Sequence, residues 1–198
     1  MVRCMERRSH LMVGTDNHHL QIQGSEGIIL HNGNIVLGMQ KQKRWYTLSN
    51  NERAAIIKTI GGQVSDSDKN DTRITLFREI TEEIKGLKSQ DITISQKPIF
   101  TKKVRMNAIN PYEQTSNLTM EADFYFVKMS EKIKIFPNDL PALLEIPINT
   151  LIKLEFCNNI DLDNLRKFLI LNQPNDINLP KRCALMIPNE VKDFIKEL

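Results

Sequence analysis

Cysteine is scarce in this chain of 198 residues. Cys4, Cys157 and Cys183 are widely spaced and odd in number, and no C-x-x-C pair occurs. This pattern excludes a disulfide scaffold and is typical of a protein of the reducing cytoplasm. The sequence also lacks any run of eighteen apolar residues, and residues 1–20 lack the apolar stretch of a signal peptide. We therefore expect a cytoplasmic protein with no membrane partner.

A strong excess of one charge is also missing. Lysine and arginine number 27 against 24 aspartates and glutamates, so the net charge is +3. This balance is too mild to make nucleic-acid binding the favoured function, although it does not remove it. Apolar residues make up 40% and charged residues 26% of the chain, which indicates a globular domain with a core and not a disordered chain.

Short apolar runs predict a β-sheet in both halves of the chain. Residues 27–30 and 35–39 flank the sequence His31-Asn32-Gly33-Asn34, and Asn-Gly between two such runs predicts a hairpin. Further predicted strands are residues 56–60, 92–94, 99–104 and 122–127. Residues 40–58 and 137–147 are predicted to be connections, and residues 161–171 and 189–198 to be amphipathic helices.

A third predicted helix follows Gly61-Gly62 and a polar loop. Its apolar residues are spaced by three and four, which is the periodicity of one helix face: Leu76, Phe77, Ile80, Ile84 and Leu87. Glu79, Glu82 and Glu83 stand at positions i, i+3 and i+4, so they share the opposite face. One side of this helix is therefore expected to pack, and the other to present three carboxylates.

Three like charges on one helix face are unfavourable unless a cation binds them. Repulsion costs a few tenths of a kcal/mol per pair on an exposed helix and more when the pair is partly buried. Mg²⁺ prefers carboxylate oxygens and retains waters, which suits binding of a phosphate. Arg78 precedes Glu82 by four residues and can hold its rotamer, and Gly61-Gly62 permits a ligand to approach the backbone closely.

This stretch resembles the box of the Nudix hydrolase family, G-x5-E-x7-R-E-U-x-E-E-x-G-U, in which U is a bulky apolar residue. Gly62 matches the opening glycine, and residues 78–83 match R-E-U-x-E-E at every position. In that family the glutamates matching Glu79, Glu82 and Glu83 bind the catalytic metals. The arginine matching Arg78 orients a glutamate through a salt bridge.

The sequence departs from the family box at two places. Counting back from Arg78 puts Asn70 where the box has its first glutamate, and Gly62 is two residues farther from Arg78 than the box allows. Asp68 or Asp71 could replace the missing carboxylate. The terminal glycine is displaced as well, because Lys85 occupies its place and Gly86 follows.

The resemblance implies a fold and a domain organisation. The fold expected is α+β, an α/β/α sandwich with a mixed sheet packed between helices. The family-like domain would span residues 20–155, preceded by an arm or extra strand over residues 1–20. Residues 156–198 would form a helical extension packed on the same domain.

The resemblance also implies a reaction. This is hydrolysis of a phosphoanhydride bond in a nucleoside diphosphate linked to another moiety, with Mg²⁺ or Mn²⁺ held by Glu79, Glu82 and Glu83. Glu79 or a later carboxylate would act as the base, and Arg78 would complete the catalytic set. Glu113 and Glu121 are candidates for that later carboxylate, although each also fits an ordinary surface position.

Residues 40–58 are basic and are expected to steer an anionic substrate. The predicted substrate contacts are Gly61, Gly62, Arg44, Trp45 and Tyr46. Trp45 or Tyr46 would cover a nucleotide base, and a place in the core or at its rim is the other interpretation of both rings.

Two other functions stay open at this point. The departures from the box favour a nucleotide-binding sensor with this fold and without turnover. The basic segment containing Lys97, Lys102, Lys103 and Arg105 favours processing of RNA 5′ ends, or else it is a solvated strand edge. The identity of the nucleotide and the formation of a homodimer are likewise left open by the sequence.

Overall fold

The computed structural model describes residues 22–105, 119–154, 159–171 and 178–198. The predicted arm over residues 1–20 lies outside this part of the chain, as do Glu113, Cys4 and Cys157. Cys183 is buried and free. No helix in the described ranges is both long enough and apolar enough to cross a membrane.

The described residues form fourteen strands and three α-helices. The strands are β1 (Ile22–His31), β2 (Asn34–Met39), β3 (Tyr46–Thr47), β4 (Arg53–Lys58), β5 (Ile60–Gln63), β6 (Ile84–Lys85), β7 (Ile92–Ile94), β8 (Phe100–Arg105), β9 (Thr119–Met129), β10 (Phe136–Pro137), β11 (Ala142–Pro147), β12 (Asn159–Asp161), β13 (Leu169–Leu171) and β14 (Arg182–Leu185). The helices are α1 (Thr72–Glu83), α2 (Ile148–Leu151) and α3 (Asn189–Ile195).

Twelve of these strands form one mixed sheet. Its main path runs β12-β14-β4-β2-β1-β9-β7, and β3, β5, β8, β11 and β13 branch from it. The pairs β1–β9 and β4–β14 are parallel, and the other ladders of this sheet are antiparallel. Strands β6 and β10 form a separate two-stranded ribbon.

The predicted hairpin is confirmed as β1 and β2. His31 pairs with Asn34, and the two residues between them have positive φ angles, 48° at Asn32 and 74° at Gly33. Two consecutive positive φ angles define the tight turn whose twist matches that of paired strands, and Asn-Gly adopts them readily. Local sequence is therefore sufficient to form this corner of the sheet.

The sheet is covered on both faces, and alternate residues of its strands feed two cores. Ile28 of β1 belongs to the core beneath α2 and α3, with Leu151, Val191 and Ile195. Ile29, its neighbour, belongs to the core beneath α1. Because both faces are buried there, residues 27–30 of β1 are continuously apolar and not alternating. The α+β expectation of a mixed sheet between helices is confirmed.

Helix α1 confirms the predicted third helix and packs on β1 and β5 through buried Leu76 and Ile80. The helix ends at Glu83, where the chain turns into β6, and Gly86 follows with a φ of 83°. The displaced glycine of the box thus supplies a left-handed residue just past this short strand.

Two segments differ from the sequence-based prediction. Residues 137–147 were expected to be a connection, but Ala142–Pro147 is a strand that pairs with β2 over six residues and is largely buried. Prolines at either end concealed it, although the terminal residues of a strand tolerate proline. Residues 40–58 were also expected to be largely a connection, yet they contain β3 and β4, and the strand predicted over residues 56–60 covers only the end of β4.

The prediction of a helix over residues 161–171 is wrong. The structure has two 3₁₀ turns, Leu162–Asn164 and Arg166–Phe168, followed by β13. Leu162, Leu165 and Phe168 are spaced by three, which suits 3₁₀ geometry as well as an α-helix. The residues that follow, β13, are part of the sheet because they pair with β11. In the described part of residues 156–198, α3 is the α-helix, and β14 extends the sheet beside β4.

Two isoleucines of α1 provide a test of this packing. Ile80 is fully buried, whereas Ile74 is 46% exposed on the same helix. We expect Ile80→Ala to lower the free energy of unfolding by about 2–5 kcal/mol, because it leaves a cavity between helix and sheet. Ile74→Ala should change it by less than about 0.5 kcal/mol. Urea denaturation of both variants measures the difference, and equal losses would contradict this assignment of faces.

Candidate functional site

A polar cleft of about 330 Å³ opens where α1 lies beside the β4–β5 turn. Both carboxylates and the side chains of lysine and arginine line it. The lining residues are Glu26, Gln40, Lys41, Lys43, Arg44, Lys58, Gly61, Gly62, Gln63, Glu79, Glu83, Met120, Asp139 and Leu140. Five of the predicted site residues therefore line one cavity: Arg44, Gly61, Gly62, Glu79 and Glu83.

The two glycines are needed for different reasons. Gly61 pairs with Glu26 across the β1–β5 ladder, and a Cβ on Gly61 would lie 2.1 Å from the backbone oxygen of Ser25. A Cβ on Gly62 would lie 2.4 Å from the carboxylate of Glu79. Gly61 thus allows the strands to pair, and Gly62 allows the Glu79 carboxylate to lie against the strand.

Arg78 is held by a buried aspartate in the loop before the helix. Its Nε donates to Asp68 Oδ1 at 3.0 Å, and its Nη2 donates to Asp68 Oδ2 at 2.9 Å. Ser65 and Thr75 also donate to Oδ2 of this carboxylate. The Arg78 guanidinium, together with these other donors, holds the pKa of Asp68 well below its usual range.

The contact between Arg78 and Asp68 shows where the loop between Gly62 and α1 holds its two residues more than the family box. Asp68 follows Gly62 by six residues, as the first glutamate of the box follows its glycine, so the two extra residues lie after Asp68. Lys69 and Asn70 there adopt left-handed φ angles of 53° and 61°. Asp71 accepts from the backbone N–H groups of Arg73 and Ile74 and caps α1. Asp68, and not Asp71, is therefore the partner of Arg78.

The three glutamates of α1 do not share one environment. Nη1 of Arg78 donates to Glu79 Oε1 at 2.7 Å and to Glu82 Oε2 at 3.3 Å. The Glu79 side chain is 16% exposed, and burial raises its pKa. The Glu82 side chain is 58% exposed and is not among the residues that line the cleft. The structure thus separates Glu82 from the other two.

Glu83 is the least satisfied carboxylate of the site. Its Oε2 is buried and has no hydrogen-bond partner among the described residues. The pKa of Glu83 is raised to about 7, chiefly by burial and also by the nearby carboxylates of Glu79, Glu26 and Asp139, against the opposing effect of Lys58. A carboxylate in this position can take up a proton near neutral pH or accept a cation.

Glu26 is a site residue that the sequence-based reasoning missed. It lies on β1, is 5% exposed, and accepts hydrogen bonds from Lys58 Nζ at 2.9 Å and Thr59 Oγ1 at 2.8 Å. The sequence did contain an indication of this role. Glu26 directly precedes the apolar run of residues 27–30, and an acidic residue that is buried with such a run needs a hydrogen-bonding or charged partner. The partner comes from β4 and was not identifiable from spacing.

The donor chemistry of the cleft fits a hard divalent cation in part. Glu79 and Glu83 both line it, and a cation would give the unpartnered oxygen of Glu83 a partner. However, no three His, Cys, Asp or Glu side chains converge as a ready metal site in the ranges the structure describes. The two glutamates therefore fit a metal by their chemistry, and Glu82 is directed elsewhere.

Trp45 and Tyr46 do not line the cleft. The Trp45 indole is 7% exposed within the core beneath α2 and α3, and its Nε1 donates to the backbone oxygen of Gln40 at 2.7 Å. The Arg53 guanidinium lies 5.6 Å from the centre of its ring. A ring covered in this way presents no free face to a base, so the core interpretation applies to Trp45. Tyr46 is half-buried on β3.

Cations of the β2–β3 connection lie at the rim of the cleft. Lys41 pairs with Asp139 at 2.6 Å, and Arg44 Nη1 donates to Gln40 Oε1 at 3.0 Å. Elsewhere, Lys102 of the basic segment on β8 is paired with Glu190 of α3 at 2.7 Å. Glu121 lies half-buried on β9 and is not a lining residue of the cleft.

No protein-family model and no curated protein sequence matches this chain. Solved structures of similar fold include a NUDIX-family hydrolase from Clostridium perfringens, 14% identical, with a TM-score of 0.46, covering 91% of this chain and 95% of that one. The E. coli dihydroneopterin triphosphate pyrophosphohydrolase is 9% identical with a TM-score of 0.47, and the match covers 66% of this chain and 84% of that one. The NUDIX domain of Shewanella oneidensis NrtR, complexed with ADP ribose, is 10% identical with a TM-score of 0.38, and the match covers 68% of this chain and 78% of that one.

This chain is thus similar in fold to Nudix proteins. Identities of 9–14% and TM-scores below 0.5 do not extend the likeness to an activity, a metal or a substrate.

The Arg78–Asp68 contact predicts a stability loss with a defined pH dependence. We expect Asp68→Asn to lower the free energy of unfolding by about 3 kcal/mol at pH 7, because it leaves the guanidinium without its buried counter-ion. The pKa of Asp68 is lowered on folding, so its stabilisation is fully present above the unfolded value of about 3.9 and is lost progressively as the pH falls from there towards the much lower folded value.

Asp71→Asn is the matched control for this variant. Asparagine caps helices as well as aspartate does, so a change below about 0.5 kcal/mol is expected. Urea titrations from pH 7 to pH 3 should show the difference between Asp68→Asn and wild type shrinking with acid. A constant difference would contradict the linkage.

The same substitution at the two adjacent glycines should cost different amounts of stability. Gly61→Ala should cost about 3 kcal/mol of stability, because its Cβ meets backbone that cannot move without breaking the β1–β5 ladder. Gly62→Ala should cost less than about 1 kcal/mol, because the flexible Glu79 side chain can withdraw. Chemical denaturation and a crystal structure of Gly62→Ala, which should show Glu79 displaced, provide the test.

Proposed function

We propose that this protein is a divalent-metal-dependent hydrolase that cleaves a phosphoanhydride bond in a nucleoside diphosphate linked to another moiety. The main support is one observation: Glu79 and the unpartnered Glu83 line a polar cleft whose rim holds Lys41, Lys43 and Arg44. A site of this composition can bind a polyphosphate and a cation together. The match to the Nudix box over residues 78–83 supports the same reaction.

Mg²⁺ or Mn²⁺ would be held by Glu79 and Glu83, with Glu82 as the third ligand implied by the resemblance. When bound, such an ion neutralises phosphate oxygens and makes water more acidic. Glu82 would have to exchange its 3.3 Å contact with Arg78 for this role, and its exposure leaves its side chain free to turn.

The protein's own side chains would bind the substrate and transfer the proton. Glu83, whose buried Oε2 has no hydrogen-bond partner among the described residues, is suited to accept the proton of a water that attacks phosphorus in line. The phosphoanhydride P–O bond then breaks, and the leaving phosphate departs with its oxygen. Arg78 positions Glu79 from behind, and Lys41, Lys43 and Arg44 would bind the phosphate oxygens of the substrate.

The size and polarity of the cleft favour a nucleotide-type small molecule. Its volume of about 330 Å³ is at the lower end for ligand sites, which suits the diphosphate with one flanking group inside and the remainder outside. We also infer a cytoplasmic protein, on the grounds of cysteine usage.

The function is tested by turnover with a panel of diphosphate-linked nucleosides, nucleotide sugars and dinucleoside polyphosphates, each with Mg²⁺ and with Mn²⁺. Glu83→Gln should lower kcat/KM at least as much as the roughly 10- to 100-fold expected for losing a group that supports a metal. Glu82→Gln, on the same helix, is the matched comparison and should lower kcat/KM by a smaller factor, because Glu82 reaches the ion only after it leaves its contact with Arg78. Unchanged turnover in Glu83→Gln would contradict the proposal.

A nucleotide-binding module without turnover is a second candidate. It is favoured by the lack of three converging metal ligands in the described ranges and by the contacts of Arg78 with both Glu79 and Glu82. Calorimetry with the same panel separates the two candidates. Binding of a nucleotide with no product after prolonged incubation would favour the module.

A further inference from the structure

Lys58 places an ammonium group inside the acidic part of the cleft. Its Nζ lies 2.9 Å from Glu26 Oε1 and 3.4 Å from the backbone oxygen of Gly61. The side chain is 23% exposed, against 44% for Lys41 at the rim. Lys58 is therefore an internal cation of the site and differs from the solvated cations around the rim.

The oxygens around Lys58 are those a hard metal ion would choose. They comprise the Glu26 carboxylate and the Gly61 carbonyl, and the charge of Lys58 acts on the nearby carboxylate of Glu83 as well. Carboxylate and carbonyl oxygens are the preferred ligands of Mg²⁺ and related ions. An ammonium group and a divalent cation thus compete for the same electrostatic environment.

The two cations cannot both occupy this environment without cost. Like charges held close together in a partly buried cleft repel each other, because solvent screens them poorly there. Binding of a metal at Glu83 must therefore overcome repulsion from Lys58 or displace its side chain. Either way, the lysine lowers the metal affinity of the cleft.

We propose that Lys58 is a tethered cation that competes with divalent metal for the carboxylates of this cleft and so determines how tightly the metal binds. The proposal rests on the proposed function, in which Glu79 and Glu83 hold the metal. It adds a residue of β4 that regulates occupancy of that site without being a ligand. It also accounts for the buried Glu26 carboxylate on β1, which Lys58 neutralises when metal is absent.

The test is Mn²⁺ binding by the full chain, measured by calorimetry and by electron paramagnetic resonance. Lys58→Met should bind Mn²⁺ at least about tenfold more tightly than wild type, because the neutral side chain no longer repels the ion. Lys58→Arg keeps the charge and should bind as wild type does. Lys43→Met removes one exposed charge from the same cleft, and its affinity should change by less than about threefold because solvent screens it.

Unchanged or weaker binding by Lys58→Met would overturn the proposal, as would an equal gain in Lys43→Met, which would indicate a general charge effect. Lys58→Met leaves Glu26 buried without its counter-ion, which can impair folding. Glu26→Gln and the double variant Glu26→Gln/Lys58→Met avoid this strain. The double variant should bind Mn²⁺ more tightly than Glu26→Gln alone, and equal affinities would overturn the proposal.

The same measurements distinguish failure of this proposal from failure of the proposed function. If wild type binds Mn²⁺ and Glu83→Gln does not, the metal site is supported, and Lys58→Met then decides the role of the lysine. If Lys58→Met gains affinity while no phosphoanhydride in the panel is cleaved, the tethered cation is supported and the hydrolase function is not. If neither wild type nor Lys58→Met binds Mn²⁺, the proposal is overturned.

Discussion

The guanidinium of Arg78 joins the three parts of the site. It donates to Asp68 in the loop, to the backbone oxygen of Gln63 at the end of β5, and to Glu79 on its own helix. A planar group with five N–H donors is suited to link groups on separate elements. Without this link, the loop would lose its anchor and the carboxylates of α1 would repel one another with less compensation. The shape of the cleft therefore depends on one residue's hydrogen bonds.

The rest of the cleft is a balance of buried charge. Glu26, Glu79 and Glu83 contribute negative charge, and Lys58 and Arg78 offset part of it. The unpartnered oxygen of Glu83 marks where this compensation is incomplete. Buried carboxylates with raised pKa values reduce the stability of a fold, and such groups concentrate at functional sites. The imbalance is the physical reason to expect a cation or a proton there.

Prediction of the fold was accurate where local sequence decides the structure. The β1–β2 hairpin follows from Asn32-Gly33, and α1 follows from apolar residues spaced by three and four. Strand β11 was missed because its pairing with β2 joins segments about a hundred residues apart. Residues 161–171 were assigned to the wrong class because a spacing of three suits two helix types, and pairing with β11 decided between strand and helix.

At the site, the sequence by itself determined which residues share α1, and hence that Arg78 and the glutamates lie within about one and a half turns of each other. Only the tertiary structure decided that Asp68 faces Arg78 while Asp71 caps the helix, that Trp45 is buried, and that Lys58 meets Glu26. Helix geometry relates neighbours along the chain by a fixed rotation, so spacing is enough to place them. Contacts between separate strands and loops depend on backbone turns and strand register, which no local spacing specifies.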